Sequence, residues 1–275
     1  MAIRFQHVDA FTDRPFAGNP AGVCLLTEDA SAEWMQHAAA EIHLSETAFV
    51  RRRDDGDFDL RWFTPAAEVA LCGHGTLATA HTLWELGQLS PSEVARFHTQ
   101  SGPLTATKLG EWIELDFPAS PPSFVAAPKG LLEALGLRAA FVGKTRFDYL
   151  VEVENEDAVR AAAPNFDALR ELGVRGVMIT APSEAHDFDF VSRFFAPGVG
   201  IDEDPVTGSA HCALAPYWQA KLGKGDLVGY QASARGGIVR CTVASDAARD
   251  SVASDRVRLS GKAITIVRGE WLGGE

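Results

Sequence analysis

The chain carries one local pattern twice, and this constrains its fold more than any other feature. Arg61-Trp62-Phe63-Thr64-Pro65 runs into Cys72-Gly73-His74-Gly75 and then an apolar helical pattern. Arg193-Phe194-Phe195-Ala196-Pro197 runs into Thr207-Gly208-Ser209-Ala210 and then another. The two Arg-x-Phe-x-Pro blocks lie 132 residues apart, about half of the 275-residue chain. A strand, a turn and a Gly-rich helix start therefore occur twice. Duplicated halves bring equivalent ends together, and clefts between domains are where small ligands bind. The repeat directs attention to 72–76 and 204–211, which are expected to face each other.

The order of elements agrees with a duplication. Strands are expected at Ile3–Val8, Ala21–Leu26, Thr47–Val50 and Phe58–Phe63, with a helix over Ser31–Glu41 capped by Ser31. A helix over Thr76–Leu86 closes at Gly87. Strands at Ala95–Thr99, Leu104–Lys108 and Trp112–Phe117 follow. Pro118-Ala119-Ser120-Pro121-Pro122 reads as a linker. The order then restarts: a short helix (Lys129–Ala134), strand Tyr149–Val153, a helix over Asp157–Leu172 interrupted at Pro164, and strands Gly176–Thr180 and Asp187–Phe195. A helix over Ala210–Leu222 follows, then strands Asp226–Gln231, Ile238–Val243, Val257–Ser260 and Ala263–Val267. The expectation is an α+β fold of two pseudo-symmetric halves, each a mixed curved sheet or barrel around a central helix. The first half covers 1–117, with the last strand (263–275) packed back onto it. The second covers 118–262.

Charge and cysteine usage narrow the class. With 37 acidic and 25 basic residues the net charge is −12, so no basic field draws in a nucleic-acid backbone. Arg51-Arg52-Arg53, followed at once by Asp54-Asp55, reads as the solvated end of a strand. No run is apolar enough to span a bilayer, and the first residues lack a secretory apolar region. Cys24, Cys72, Cys212 and Cys241 have no paired spacing and read as free thiols in a reducing compartment, so a cytoplasmic location is expected.

The two Gly-rich segments could carry chemistry together. Glycines let a backbone approach a ligand, and a helix N-terminus offers N–H groups to a carboxylate or enolate oxygen. Either segment alone reads as an ordinary helix cap; the repetition sets them apart. A proton-transfer site also needs a base, and Glu46, Glu68, His74, Asp202, Glu203 and Asp204 lie near these segments. Glu46 opens an apolar strand, where a carboxylate is partly desolvated, a condition that suits a base. Asp204 precedes Pro205 and so sits on extended backbone beside the second helix start.

Other motifs weaken on inspection. Gly143-Lys144-Thr145 lacks the upstream glycine of a phosphate loop, with Arg138 in its place, and its flanks run helix to strand. A zinc set of Cys72, His74, His211 and Cys212 has suitable ligand types, but His211 and Cys212 are adjacent on a helix and point about 100° apart. A Cys72 nucleophile with His74 as base would need a hydrogen bond across a tight loop. No dinucleotide fingerprint is present. No metal or cofactor is expected.

Five motifs, taken in order, resemble a known family. They are Asp9-Ala10-Phe11-Thr12 with Pro15-Phe16-x-Gly18-Asn19-Pro20; Ser45-Glu46-Thr47-Ala48-Phe49; Arg61-x-Phe63-Thr64-Pro65-x-x-Glu68; Cys72-Gly73-His74-x-Thr76; and Glu203-Asp204-Pro205-x-Thr207-Gly208-Ser209-Ala210. Together they resemble the phenazine-biosynthesis PhzF-like isomerases, which share the fold of diaminopimelate epimerase. The resemblance implies a cofactor-independent isomerase, often a homodimer, acting on a small carboxylated metabolite. Glu46 matches the glutamate that takes a proton from one carbon and returns it to another. His74, Asp204 and Ser209 match the polar residues that assist. Gly73 and Gly208 match backbone donors, and Gly75, Thr76 and Thr207 complete the expected substrate-binding set.

The epimerase branch of that fold uses two opposed thiols. Cys72 sits where the first would be, but a shift of 132–133 residues leads to Asp204-Pro205, with no thiol. One-sided chemistry with Glu46 is therefore expected, with Cys72 a small buried residue. The alternatives are a non-catalytic binding protein of the same fold and an amino-acid epimerase or racemase.

Overall fold

Alternation of buried and exposed residues opens the chain as a strand, β1 (Ile3–Ala10). A computed structural model describes residues 2–243 and 256–272. The chain divides into two units, Met1–Asp116 with Ser260–Glu275, and Phe117–Leu259.

In the first unit β1 is followed by β2 (Asn19–Leu26), helix α1 (Ala32–Ile42), β3 (Glu46–Arg52), β4 (Phe58–Phe63) and the short β5 (Glu68–Val69). Helix α2 (Gly73–Glu85) precedes β6 (Ala95–Thr99), β7 (Gly102–Leu109) and β8 (Trp112–Pro118). β2 runs parallel to β3 and β4 parallel to β6. The pairs β1–β2, β3–β4, β4–β5, β6–β7 and β7–β8 are antiparallel. α2 is buried almost all round, from His74 to Trp84, as a helix enclosed by a curved sheet must be. α1 is different. It buries Met35, Ala38 and Ala39 against Cys24, Phe49 and Phe63, with Trp34 and Ile42 half-buried at the edge of that cluster, and Ser31 caps it by accepting the Trp34 N–H.

The second unit holds β9 (Ser123–Phe124), α3 (Leu131–Leu135), β10 (Phe141–Lys144), β11 (Asp148–Glu152), α4 (Glu156–Ala161) and α5 (Phe166–Arg170). Next come β12 (Gly176–Pro182), β13 (Phe190–Ala196), a 3₁₀ turn at Pro197–Val199, β14 (Ile201–Asp204), α6 (Gly208–Leu222), β15 (Asp226–Gln231) and β16 (Gly237–Val243). β17 (Arg256–Gly261) and β18 (Ala263–Trp271) follow, and β18 pairs antiparallel with β1. Residues 273–275 of the expected last strand lie outside the described residues. In this unit β11 runs parallel to β12 and β13 parallel to β15. β10–β11, β12–β13, β13–β14 and β15–β16 are antiparallel. These are the pairings of the first unit over again. A core of Leu131, Val151, Val177, Ile179, Val191 and Phe195 fills the space under α3–α5.

The repeated Arg-x-Phe block has a structural reason. Residues two apart on a strand share a face. Arg61 lies 5.2 Å over the Phe63 ring, and Arg193 lies 4.9 Å over Phe195. Each guanidinium also makes a two-pronged pair with the next short strand, Arg61 to Glu68 (2.7 and 2.9 Å) and Arg193 to Glu203 (2.7 and 2.8 Å). These pairs hold β5 on β4 and β14 on β13. Pro216 lies inside α6 and supplies no N–H for the carbonyl of Cys212. The Ser120 N–H bonds that carbonyl at 2.9 Å, so the linker satisfies the group the proline leaves open.

Candidate active site

Three elements of the first unit converge at one end. β2 and β3 run parallel with Ala21 opposite Glu46, so Asn19 and Glu46 both stand where their strands begin. α2 starts at Gly73 beside them. Gly18 delivers Asn19 with φ +66°, and a Cβ there would meet the Ala10 carbonyl at 2.1 Å, so only glycine fits. The Cys72 backbone is extended, and its Sγ accepts the Gly75 N–H at 3.3 Å, which caps α2. A Cβ on Gly75 would lie 2.8 Å from Trp62 and 3.0 Å from Cys72 Sγ. The Thr76 hydroxyl donates to the Cys72 carbonyl at 2.6 Å. Of the first-turn N–H groups, those of Gly73 and His74 face the open end of the helix, where an anion is favoured.

His74 Nε2 lies 3.0 Å from Glu46 Oε2, with both side chains largely buried. The approach is off the hydrogen-bond axis, so Glu46 Oε2 keeps a lone pair on which no donor is aligned. On the other side of the ring the Asn19 amide nitrogen stands 3.2 Å from Nδ1. An amide N–H donated there places the ring proton on Nε2, toward Glu46. Burial opposes an imidazolium at His74, but negative charge on Cys72 and Glu46 outweighs it and raises the histidine well above its ordinary value. Burial raises the Cys72 thiol. Asn19 serves both states, because turning its amide over presents an oxygen to an Nδ1–H.

Cys72 Sγ lies 3.6 Å from Nδ1 and 3.8 Å from Nε2. Near-equal distances to both nitrogens put the sulfur beside the ring rather than in line with either lone pair. A thiol–imidazole nucleophile pair is thus not assembled.

In the second unit Asp204 ends β14 and Thr207 is the N-cap of α6. The Thr207 hydroxyl donates to Asp204 Oδ2 at 2.5 Å. Gln231 ties the loop together: its Oε1 accepts the Thr207 N–H at 2.9 Å, and its amide donates to the Asp204 carbonyl at 2.7 Å. Ser209 Oγ accepts from Arg175 Nη2 at 3.1 Å, and Arg175 is gripped by the buried Asp148.

The expected residues thus fall into two groups. Glu46, Gly73, His74, Gly75 and Thr76 come together in the first unit; Asp204, Thr207, Gly208 and Ser209 come together in the second. Within these groups the Thr76 hydroxyl is buried against Cys72 and the Thr207 hydroxyl is held by Asp204, so both shape their loops. Gly75 makes room for Trp62. Glu68 and Glu203 are bound to Arg61 and Arg193 and are not bases, and Asp202 is an exposed neighbour of Arg170. Gly143 and Lys144 belong to β10, with no helix after them. His211 points Nδ1 at the Thr207 carbonyl (2.8 Å), so it is a buried structural histidine. Asn19, Arg175 and Gln231 are additions. Asn19 was visible in the Gly18-Asn19-Pro20 motif; Arg175 and Gln231 have no local signal.

The structure also corrects the offset of the repeat. The central helices start 135 residues apart, at Gly73 and Gly208, because the β13–β14 connection carries the extra 3₁₀ turn. Thr207, rather than Asp204 or Pro205, is the counterpart of Cys72, and Ser209 is the counterpart of His74. Thr47 pairs with Phe63 as Val177 pairs with Phe195, so Gly176 is the counterpart of Glu46. The second unit has neither the thiol nor the carboxylate at these places.

This duplicated arrangement belongs to the diaminopimelate epimerase-like α+β class. The profile of phenazine biosynthesis-like proteins (PhzC-PhzF) matches residues 8–269. The chain is 49% identical over 266 residues to an uncharacterized isomerase of Halalkalibacterium halodurans, covering 96% of this chain and 97% of that one. It is 50% identical over 270 residues to an uncharacterized isomerase of Pseudomonas aeruginosa, covering 98% of each. Its structure is similar to the crystal structure of a PhzF family phenazine biosynthesis protein from Enterococcus faecalis, with a TM-score of 0.91 and 39% identity over 98% of this chain and 99% of that one. The chain belongs to the phenazine biosynthesis-like family.

Proposed function

We propose that this isomerase moves a proton between two carbons of a small carboxylated metabolite, with Glu46 as the acid–base. Glu46 takes a proton from a carbon made acidic by its neighbour and returns it further along the same substrate. The Gly73 and His74 N–H groups at the start of α2 stabilise negative charge on the intermediate, and His74 shares its proton with the reacting groups. A proton shift of this kind needs a base, an acid and an anion cradle, and no further group takes part in it.

The observation that carries this reading is the 3.0 Å approach of Glu46 to His74, with a carboxylate lone pair left unshared. The absence of a second carboxylate or thiol at Gly176 and Thr207 favours one base acting on one side over a two-base racemase. The test is turnover of small carboxylic acids in D2O, read by mass spectrometry and NMR. Deuterium incorporated at a new carbon, and lost in Glu46→Gln, supports the reading. Binding without exchange would assign the chain to ligand binding alone, and exchange confined to one stereocentre would assign it to racemisation.

A further inference from the structure

We propose that Glu46, Cys72 and His74 also form a binding site for a thiophilic divalent cation, zinc above all, and that the ion arrests the enzyme. A carboxylate oxygen, a thiol sulfur and an imidazole nitrogen from these residues all lie within 4.8 Å of one another. Tetrahedral zinc, with bonds of about 2.3 Å to sulfur and about 2.0 Å to nitrogen and oxygen, spaces its donors about 3.3–3.6 Å apart. The separations in the protein are 3.0 Å from oxygen to Nε2 and 3.8 Å from Nε2 to sulfur. Two of the three donor separations thus lie within a few tenths of an ångström of that spacing; the sulfur is also 3.6 Å from Nδ1, so the His74 ring turns on binding to bring Nε2 to an ion shared with Cys72.

Charge and the surrounding residues favour the same ion. Thiolate, carboxylate and Zn2+ sum to zero, so the metal-bound cluster buries no net charge. Glu46 Oε2 is buried without a hydrogen-bond partner and lies within the cluster. Asn19 stands behind the ring, 3.2 Å from Nδ1, where it would hold the histidine as outer partners of metal-bound imidazoles do. The step balances simply. Cys72 releases its proton to solvent; the imidazole proton sits on Nδ1 against the Asn19 oxygen; sulfur, Nε2 and the Glu46 oxygen each donate an electron pair; and water fills the fourth position. Mixed sulfur and nitrogen donors select zinc or cobalt over magnesium or calcium. A bound ion occupies the carboxylate, so Glu46 cannot accept a proton. That consequence rests on the proposed role of Glu46; the binding itself does not.

The probe is Co2+ titrated into the chelator-treated full-length protein, followed by absorption. One ion per chain, with thiolate-to-cobalt charge-transfer absorption that Zn2+ abolishes, is expected. The absorption disappears in Cys72→Ser, in which serine still caps α2. In Glu46→Gln the absorption persists and affinity falls at least tenfold. Absence of the band in the wild type at millimolar Co2+, or its survival in Cys72→Ser, overturns the site. If Cys72→Ser does not fold by circular dichroism, wild-type affinity in both Glu46→Gln and His74→Gln overturns it equally. A wild-type protein that binds Co2+ yet exchanges deuterium at its metal-free rate overturns the arrest alone.

Discussion

Glu46 Oε2 stands 3.0 Å from His74 Nε2, and the two residues arrive from different elements, the first residue of β3 and the second of α2. Neither strand nor helix alone would bring a carboxylate and an imidazole together. Parallel pairing of β2 with β3 sets one side, and the Cys72 cap sets the other. The site is therefore sensitive to residues that touch no substrate.

Asn19 is the first of these. Removing its amide leaves His74 Nδ1 without the donor that sets the ring proton. Asn19→Ala is expected to lower kcat about tenfold or more with little change in KM. Nitrogen NMR of the His74 ring separates positioning from mere packing: the Nδ1 resonance shifts in the variant, which has lost its Asn19 partner. An unchanged ring spectrum would contradict this role.

Gly75 is the second. Its missing side chain admits Trp62 and Cys72 Sγ. Gly75→Ala forces one of them aside and is expected to cost about 1–3 kcal/mol of stability. Urea unfolding measures the loss. A variant as stable as wild type would mean that Trp62 and Cys72 leave more room at the α2 start than these close contacts imply.

The duplicated arginines should differ in weight. Arg193 is more buried than Arg61, and besides Glu203 it bonds the Ala162 carbonyl at 2.6 Å. Arg193→Ala strands a partly buried carboxylate and several carbonyls, and is expected to cost about 3 kcal/mol. Arg61→Ala is expected to cost about 1 kcal/mol. Equal losses in urea unfolding would contradict the difference in burial.

His211 makes stability depend on pH. Burial depresses its pKa from 6.5 to about 4, with only the bond to Thr207 working against the change. A depressed histidine is neutral in the folded chain while the unfolded chain takes up its proton. Its contribution is present above pH 6.5 and is lost as the pH falls toward 4. The total is about 3 kcal/mol. His211→Asn, which keeps a donor for the Thr207 carbonyl without a titrating group, should flatten this part of the stability profile. An unchanged slope would place the titration elsewhere.

Much of this architecture was legible along the chain, and what was hidden has physical causes. The duplicated strand, turn and helix start showed in Arg61-x-Phe63 and Arg193-x-Phe195, because a strand places alternate residues on one face. The expected strand Phe58–Phe63 and the Ser31 cap are as read. α2 starts three residues earlier than expected, at Gly73, since the Cys72 sulfur caps a Gly-rich turn that propensity alone marks as loop. The helix expected over Asp157–Leu172 is two short helices on either side of Pro164. β5 and β14 were not foreseen because two to four residues carry no periodicity and Arg–Glu pairs hold them in place. β10 was obscured by Gly143-Lys144. Glu46 stood out by its place at an apolar strand. The relation of Asn19 to His74 did not, because it depends on the pairing of β1 with β2 and on the fit of α2 beside them.

The central claim is that Glu46 is the base. The direct measurement is deuterium transfer from solvent to a turned-over carboxylic acid by wild-type and Glu46→Gln proteins of matched stability. The account predicts one solvent-derived deuteron per turnover in the wild type and a rate lower by about a hundred- to ten-thousandfold in Glu46→Gln. Exchange in Glu46→Gln within about tenfold of wild type would contradict it.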